Sequence, residues 1–316
     1  MNWIVFGIIA SLAWGIYVIL LKRATSEQYY GLTSLTTFFV MSLGILFVST
    51  IGFLLEGSGA FFELGMGIAF ASGLLWGIGM SSVTFALSSA KTLVSKLTPL
   101  YNTNTLVAVL LGILLLNEVP EQQVVVLAGA ILVVLGGILV TRESSEGNSA
   151  KTIPISLAKR GILKRLFSAE NWITWGIIAS VAWGSYVILL KIATSSEYYA
   201  ISSFSAFFAM SLGIMSASLG IFIIARGKIK SSSEVKLKAV VAALSSGIVW
   251  GIGMFSVIYA FSKFSASVAP MVPLYNTNTL VAVLLGMILL KEKPKWKWLT
   301  ISGAVLIVIG AILVTI

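Results

Sequence analysis

Residues 99–112 read PLYNTNTLVAVLLG, and residues 273–286 repeat them letter for letter. Each copy sets four consecutive polar residues, Asn-Thr-Asn-Thr, inside a run otherwise as apolar as a lipid-facing helix. A segment this costly to bury, kept twice at a long interval, marks a duplicated chain. It also marks the place where polar side chains must be used, because unpaired polar groups are expensive at membrane depth.

Outward from that stretch, the chain keeps the same character. Hydrophobic residues make up 58% of its 316 positions and charged residues 10%, a balance far from that of a soluble domain. Apolar runs of about 20 residues recur along the whole length, each able to cross a hydrocarbon core of roughly 30 Å as a helix. The first run has no basic stretch before Trp3 and has a near-copy in mid-chain, so it reads as a span and not as a cleaved signal. There is no Cys, no His and no Asp, and every acid is a Glu. That removes disulfides, zinc sites, thiolate or imidazole catalysis and Ser-His-Asp triads from consideration. No Gly-rich phosphate loop is present, and no cofactor is expected. A membrane-embedded enzyme acting on lipid would lack its usual catalytic groups.

The duplication runs through both halves. NWIVFGIIASLAWGIYVILLKRATS at Asn2 matches NWITWGIIASVAWGSYVILLKIATS at Asn171; GLLWGIGM at Gly73 matches GIVWGIGM at Gly247; LLLNEVP at Leu114 matches ILLKEKP at Ile288. The offset grows from 169 to 174 positions, and the extra residues fall in the basic loop 226–238. Five spans are expected in each half, at roughly 3–21, 32–54, 65–87, 94–116 and 123–141, then 172–190, 202–225, 239–261, 268–290 and 297–315. The expected fold is an all-α integral membrane protein, with ten transmembrane helices as two inverted five-helix repeats. Residues 1–141 form the first repeat, 142–170 a basic cytoplasmic linker and 171–316 the second repeat. An odd number of spans per half forces the opposite orientations.

Loop charge agrees with that inversion. All but two of the 21 Lys and Arg lie at the connections after spans 1, 3, 5, 7 and 9, and only Lys191 and Lys263 lie at the others. The positive-inside rule makes the first face cytoplasmic and puts both termini outside. Anionic lipid headgroups, and not nucleic acid, are the expected partner of these basic loops. Within the linker, ISLAKRGILKRLF reads either as a short surface helix or as a solvated basic connector.

Inverted five-helix repeats are an architecture of secondary carriers, which bind solute near the midplane where the repeats meet. Asn102–Thr105 and Asn276–Thr279 fall near the middle of spans 4 and 9, which would run antiparallel with their polar clusters facing each other. At 100° per residue, Thr98, Tyr101, Asn102 and Thr105 share a stripe, while Asn104 points nearly the other way. Pro99, Pro273 and Pro270 are expected to interrupt these helices and free backbone carbonyls. Tyr101, Asn102, Thr105 and their counterparts Tyr275, Asn276 and Thr279 therefore line a cavity or bond helix to helix. Trp14, Trp183, Trp76 and Trp250 lie deep in their spans, each followed by Gly, with Tyr17 and Tyr186 one turn after the first pair. Core packing is the first reading of any one of them, and as a paired set they are candidates for stacking on a solute. Lys22, Lys191, Glu118 and Glu292 stand at span ends, where snorkelling suffices. With no carboxylate at the midplane, a facilitator or exchanger is expected in preference to a proton-coupled carrier.

AWGIYVILLK at Ala13, LLWGIGMSSVTFALSSA at Leu74 and LTPLYNTNTLVAVLLGILLLNEVP at Leu97, with counterparts at Ala182, Ile248 and Val272, resemble the drug/metabolite transporter superfamily and its ten-span EamA-type members. The likeness extends over nearly the whole chain apart from the linker. It implies alternating access through a central cavity with helices 4 and 9 among its walls. The WG spacing in spans 1 and 3 is also similar to that of glucose/ribose porters. Many members of the superfamily keep both termini in the cytoplasm, and here the loop charges predict the reverse. The reading that follows is a carrier of a small neutral or zwitterionic metabolite, of the sugar or amino acid class; an exporter of apolar or cationic drugs is the alternative.

Overall fold

A computed structural model describes residues 2–25, 29–56, 63–87, 100–118, 123–142, 171–225, 236–290 and 297–315. The expected linker helix, most of the basic loop 226–238, Pro99 and the pair Leu97 and Thr98 lie outside them. The described residues are helical throughout, without strands. The helices are α1 (Trp3–Thr25), α2 (Ser34–Glu56), α3 (Leu64–Leu87), α4 (Asn104–Leu115), α5 (Gln123–Arg142), α6 (Trp172–Thr194), α7 (Ser203–Ala225), α8 (Leu237–Phe264), α9 (Val268–Tyr275), α10 (Asn278–Leu289) and α11 (Lys297–Leu313). Because α9 and α10 are two pieces of one span, the eleven helices make ten crossings. Seven crossings are long and apolar enough to pass a membrane by length and composition, and three shorter apolar helices complete the set.

The reason is visible in α1. Its Val5, Ile8, Leu12 and Ile16 recur at helical spacing and stay exposed, while Ala10, Ala13 and Trp14 on the other side are buried. A helix apolar on both faces is at home only where its outer face meets lipid. Elsewhere on the surface, Leu54, Leu114, Ile224 and Ile288 are likewise exposed.

Packing repeats between the halves. The contact of α1 with α8 has its counterpart in α6 with α3, and that of α1 with α10 in α6 with α4. Three further couples pair a helix with its own equivalent, and all run antiparallel. In α2 and α7, the Ser42 hydroxyl meets Ser218 at 2.8 Å and Ser49 meets Ser211 at 2.6 Å. In α5 and α11, Gly129 lies against the Gly310 carbonyl and Gly136 against that of Gly303. In the third couple, span 4 meets span 9.

Two further crossings bring backbones together. A Cβ on Gly44 would stand 2.3 Å from the Leu244 carbonyl, and one on Gly247 2.0 Å from that of Met41, so α2 and α8 meet main chain to main chain. Gly73 and Gly213 do the same for α3 and α7, at 2.0 Å from Met210 and 2.1 Å from Phe70. Without a hydrophobic drive between helices in lipid, such close approach is the main source of their attraction.

Candidate functional site

The Asn-Thr-Asn-Thr segments sit where spans 4 and 9 leave the α-helix. Pro273 lies inside α9 and withholds an N–H from the Ala269 carbonyl four residues back. Two residues later α9 ends. The chain continues through Asn276 and Thr277, with ψ of -5 and -8, bonding three residues back from Thr277 N–H to Leu274 and from Leu280 N–H to Thr277 before α10 begins. Span 4 takes the same path, with Thr103 N–H bonded to Leu100 and Leu106 N–H to Thr103. Each span is therefore kinked by a 3₁₀-type turn at its polar centre.

The turns decide where the amides go. Asn102 Nδ2 donates to Thr279 Oγ1 at 3.2 Å, and Asn276 Nδ2 donates to Thr105 Oγ1 at 2.6 Å, the same contact with the halves exchanged. Asn276 Nδ2 also donates to Asn104 Oδ1 at 3.2 Å. Outward, the Thr103 hydroxyl meets Ser180 on α6 and the Thr277 hydroxyl meets Ser11 on α1, both at 2.8 Å. This corrects two expectations. Asn104 does not point away from Asn102, since both reach span 9; the 100° rule fails because the helix is broken between them. Pro270 does not interrupt a helix either. It falls in the first turn of α9, where its missing N–H has no intrahelical acceptor to disappoint.

Beside this cluster six aromatic rings form a continuous row. Tyr275 stands edge-on to Trp14 at 4.7 Å, Trp14 stacks on Trp250 at 6.1 Å, and Trp250 meets Trp76 at 4.4 Å. Trp76 stacks on Trp183 at 6.3 Å, and Trp183 meets Tyr101 edge-on at 5.1 Å. Both outer indoles are tied to the helix they cross: Trp14 Nε1–H donates to the Trp250 carbonyl at 3.2 Å and Trp183 Nε1–H to that of Trp76 at 3.1 Å. Tyr186 meets the Tyr275 hydroxyl and the Met254 sulfur, and Tyr17 lies near Tyr101.

All twelve residues singled out from the sequence thus gather at the junction of spans 1, 3, 4, 6, 8 and 9. Their burial is unequal. Trp14, Tyr186, Tyr275 and Asn276 are buried, whereas their counterparts Trp183, Tyr17, Tyr101 and Asn102 are half-buried. Thr105, Thr279, Trp76 and Trp250 are buried. Chemically this is a neutral junction of aromatic faces, amides and hydroxyls.

Glu118 and Lys191 are not the snorkelling span ends that the sequence suggested. Asn117 adopts a left-handed conformation (φ 49) after α4 and turns Glu118 back onto it, where the Glu118 N–H bonds to the Gly112 carbonyl at 3.3 Å. The carboxylate then accepts the Val268 N–H at 2.7 Å and the Ala269 N–H at 2.9 Å, the first two amides of α9. A Cβ at position 112 would lie 3.0 Å from the Glu118 Oε2, so Gly112 leaves room for that carboxylate. Lys191, only 6% exposed, donates from α6 to the Ala266 carbonyl at 2.7 Å. Burial pushes the Glu118 carboxyl above its ordinary value, against the downward pull of the two N–H groups and of Lys191. The signal in the sequence was LLLNEVP itself; its partner lies 150 residues away. Among the described residues no group of acids or other donors could hold a metal.

Comparison with known proteins gives three results. The family model described as "Sugar transport protein" matches residues 5–316. No curated protein sequence matches the chain. A solved structure titled only "Crystal structure of protein" superposes with a TM-score of 0.73 at 16% identity, over 100% of this chain and 99% of that one, a likeness of fold.

Proposed function

The chain belongs to the sugar transport protein family, and on that premise we propose that it carries a sugar by alternating access, its halves working as inverted repeats. The basic connections face the cytoplasm in this reading. Residues 1–141 and 171–316 are the moving units. Tyr17, Tyr101, Asn102 and Trp183 receive the solute, with Tyr275, Asn276, Tyr186 and Trp14 taking over when the other side opens. The C–H faces of a pyranose or furanose suit aromatic rings, and its hydroxyls suit amides and Thr hydroxyls that both donate and accept. One observation supports the reading above the rest: equivalent residues of the halves are half-buried on one side of the junction and buried on the other. A carrier occluded from one face has this asymmetry.

The test is uptake of radiolabelled hexoses and pentoses into proteoliposomes. Asn102→Ala is expected to raise KM for the transported sugar about tenfold, the loss of one or two hydrogen bonds. Uptake of no sugar, or an unchanged KM in Asn102→Ala, would refute the proposal. An exporter of cationic drugs would ordinarily need an acid at the site, and Glu118 is committed to α9.

A further inference from the structure

The eight residues of α9 are suspended between two first-contact points. At its inner end Tyr275 packs on Trp14, and Asn276 bonds to Asn104 and Thr105. At its outer end three of the backbone positions that a helix start leaves without intrahelical partners are accounted for. The Val268 and Ala269 N–H groups go to Glu118 and Pro270 has none, while the Met271 N–H, bonded to the Ser267 carbonyl at 3.3 Å, begins the regular ladder. The carboxylate comes from the other half of the chain. From α6, Lys191 grips the Ala266 carbonyl of the same short connection. One anion thus holds the amide side of segment 266–269 and one cation its carbonyl side, each by a charge-assisted bond at 2.7 Å.

We propose that Glu118 is the latch of one gate: docked on α9 it closes the junction to the membrane face that carries it, and solute passage on that face requires it to let go. The proposal rests on the transporter reading and adds a gating residue to it. Undocking leaves two donors that only water can satisfy, so the gate opens by admitting water and shuts by expelling it. Lys191 acts as the second hand of the latch. While it is shut, Tyr275 at the end of α9 and Tyr186 and Trp14 beside it stay buried, as observed.

The chain lacks Cys, so single cysteines report access without background. Val272→Cys, on α9 at 1% exposure, is treated with an impermeant thiosulfonate in right-side-out and inside-out vesicles. Ser196→Cys, exposed in the connection after α6, identifies the face that carries Glu118. Adding Glu118→Ala is expected to speed Val272→Cys labelling from that face about tenfold, with Ser196→Cys unchanged. A third reporter, Ile214→Cys, buried in α7, stays unlabelled if only the gate has opened. Lys191→Met is expected to act in the same direction and decides the matter if Glu118→Ala does not fold. Unchanged Val272→Cys labelling, or equal acceleration at Ile214→Cys, overturns the latch. These readouts need no sugar, so the latch and the choice of solute stand or fall separately.

Discussion

Replacing Gly247 by Ala tests whether main-chain contact holds α8 on α2. The added Cβ would sit 2.0 Å from the Met41 carbonyl oxygen, whereas the shortest comfortable carbon-to-oxygen approach is about 3.3 Å. Both atoms belong to backbone, so no rotamer change relieves the clash, and the helices must part by about 1.3 Å locally. A gap of that size forfeits more than about half of each contact along the crossing. The expected cost reaches about 3 kcal/mol, the upper end for overpacking. The matched control is Gly220→Ala in α7, where a Cβ meets nothing within 4 Å. There the better helix former is expected to gain about 0.5–1 kcal/mol. Thermal unfolding in detergent, followed by Trp fluorescence at one scan rate, is expected to separate the two variants by about 5 °C or more. Equal midpoints, or a Gly247→Ala that is the more stable, would refute backbone contact as the basis of this crossing.

Two further outcomes are expected. In a double-mutant cycle of Asn276→Ala with Thr105→Val, read by unfolding in detergent, the coupling is expected at about 0.6–1.7 kcal/mol, the range of interhelical hydrogen bonds in membranes; zero coupling would remove that bond. The pH dependence follows from Glu118, whose surroundings are Lys191 on α6, Glu197 in the next connection and the α9 amides. Burial holds its carboxyl above the ordinary carboxylate value in the folded protein. The docked form therefore binds the proton more readily, and stability gained below that raised value is lost as pH rises through it. The midpoint of the wild type, relative to Glu118→Ala, is expected to climb as pH falls through that raised value and to be flat above it; the opposite slope would contradict the assignment.

How far sequence carried this protein depended on whether a feature was local. Spans, duplication and the meeting of Asn102 with its counterpart helix could be read, because apolar length and a literal repeat are properties of the chain itself. The direction of Asn104 could not. Projecting it required an unbroken helix, and the turn at Asn102 and Thr103 resets the angle by a conformational choice that the residues alone do not announce. Glu118 reads as an ordinary span end because the N–H donors its carboxylate accepts from, those of Val268 and Ala269, are brought to it only by folding. Among 29 glycines, nothing along the chain separates Gly247, pressed on a carbonyl, from Gly220, facing open space.

The row of indoles also makes the protein its own optical gauge. Trp14, Trp250, Trp76 and Trp183 follow one another at 6.1, 4.4 and 6.3 Å, close enough for their electronic transitions to mix. Mixed transitions rotate polarised light according to the angle between rings, so near-ultraviolet circular dichroism registers their mutual tilt. The central pair joins α3 of one half to α8 of the other, so its signal reports any change in the angle between them. The proposed rocking of the halves can therefore be sought in the unlabelled molecule, with the chromophores that build its core.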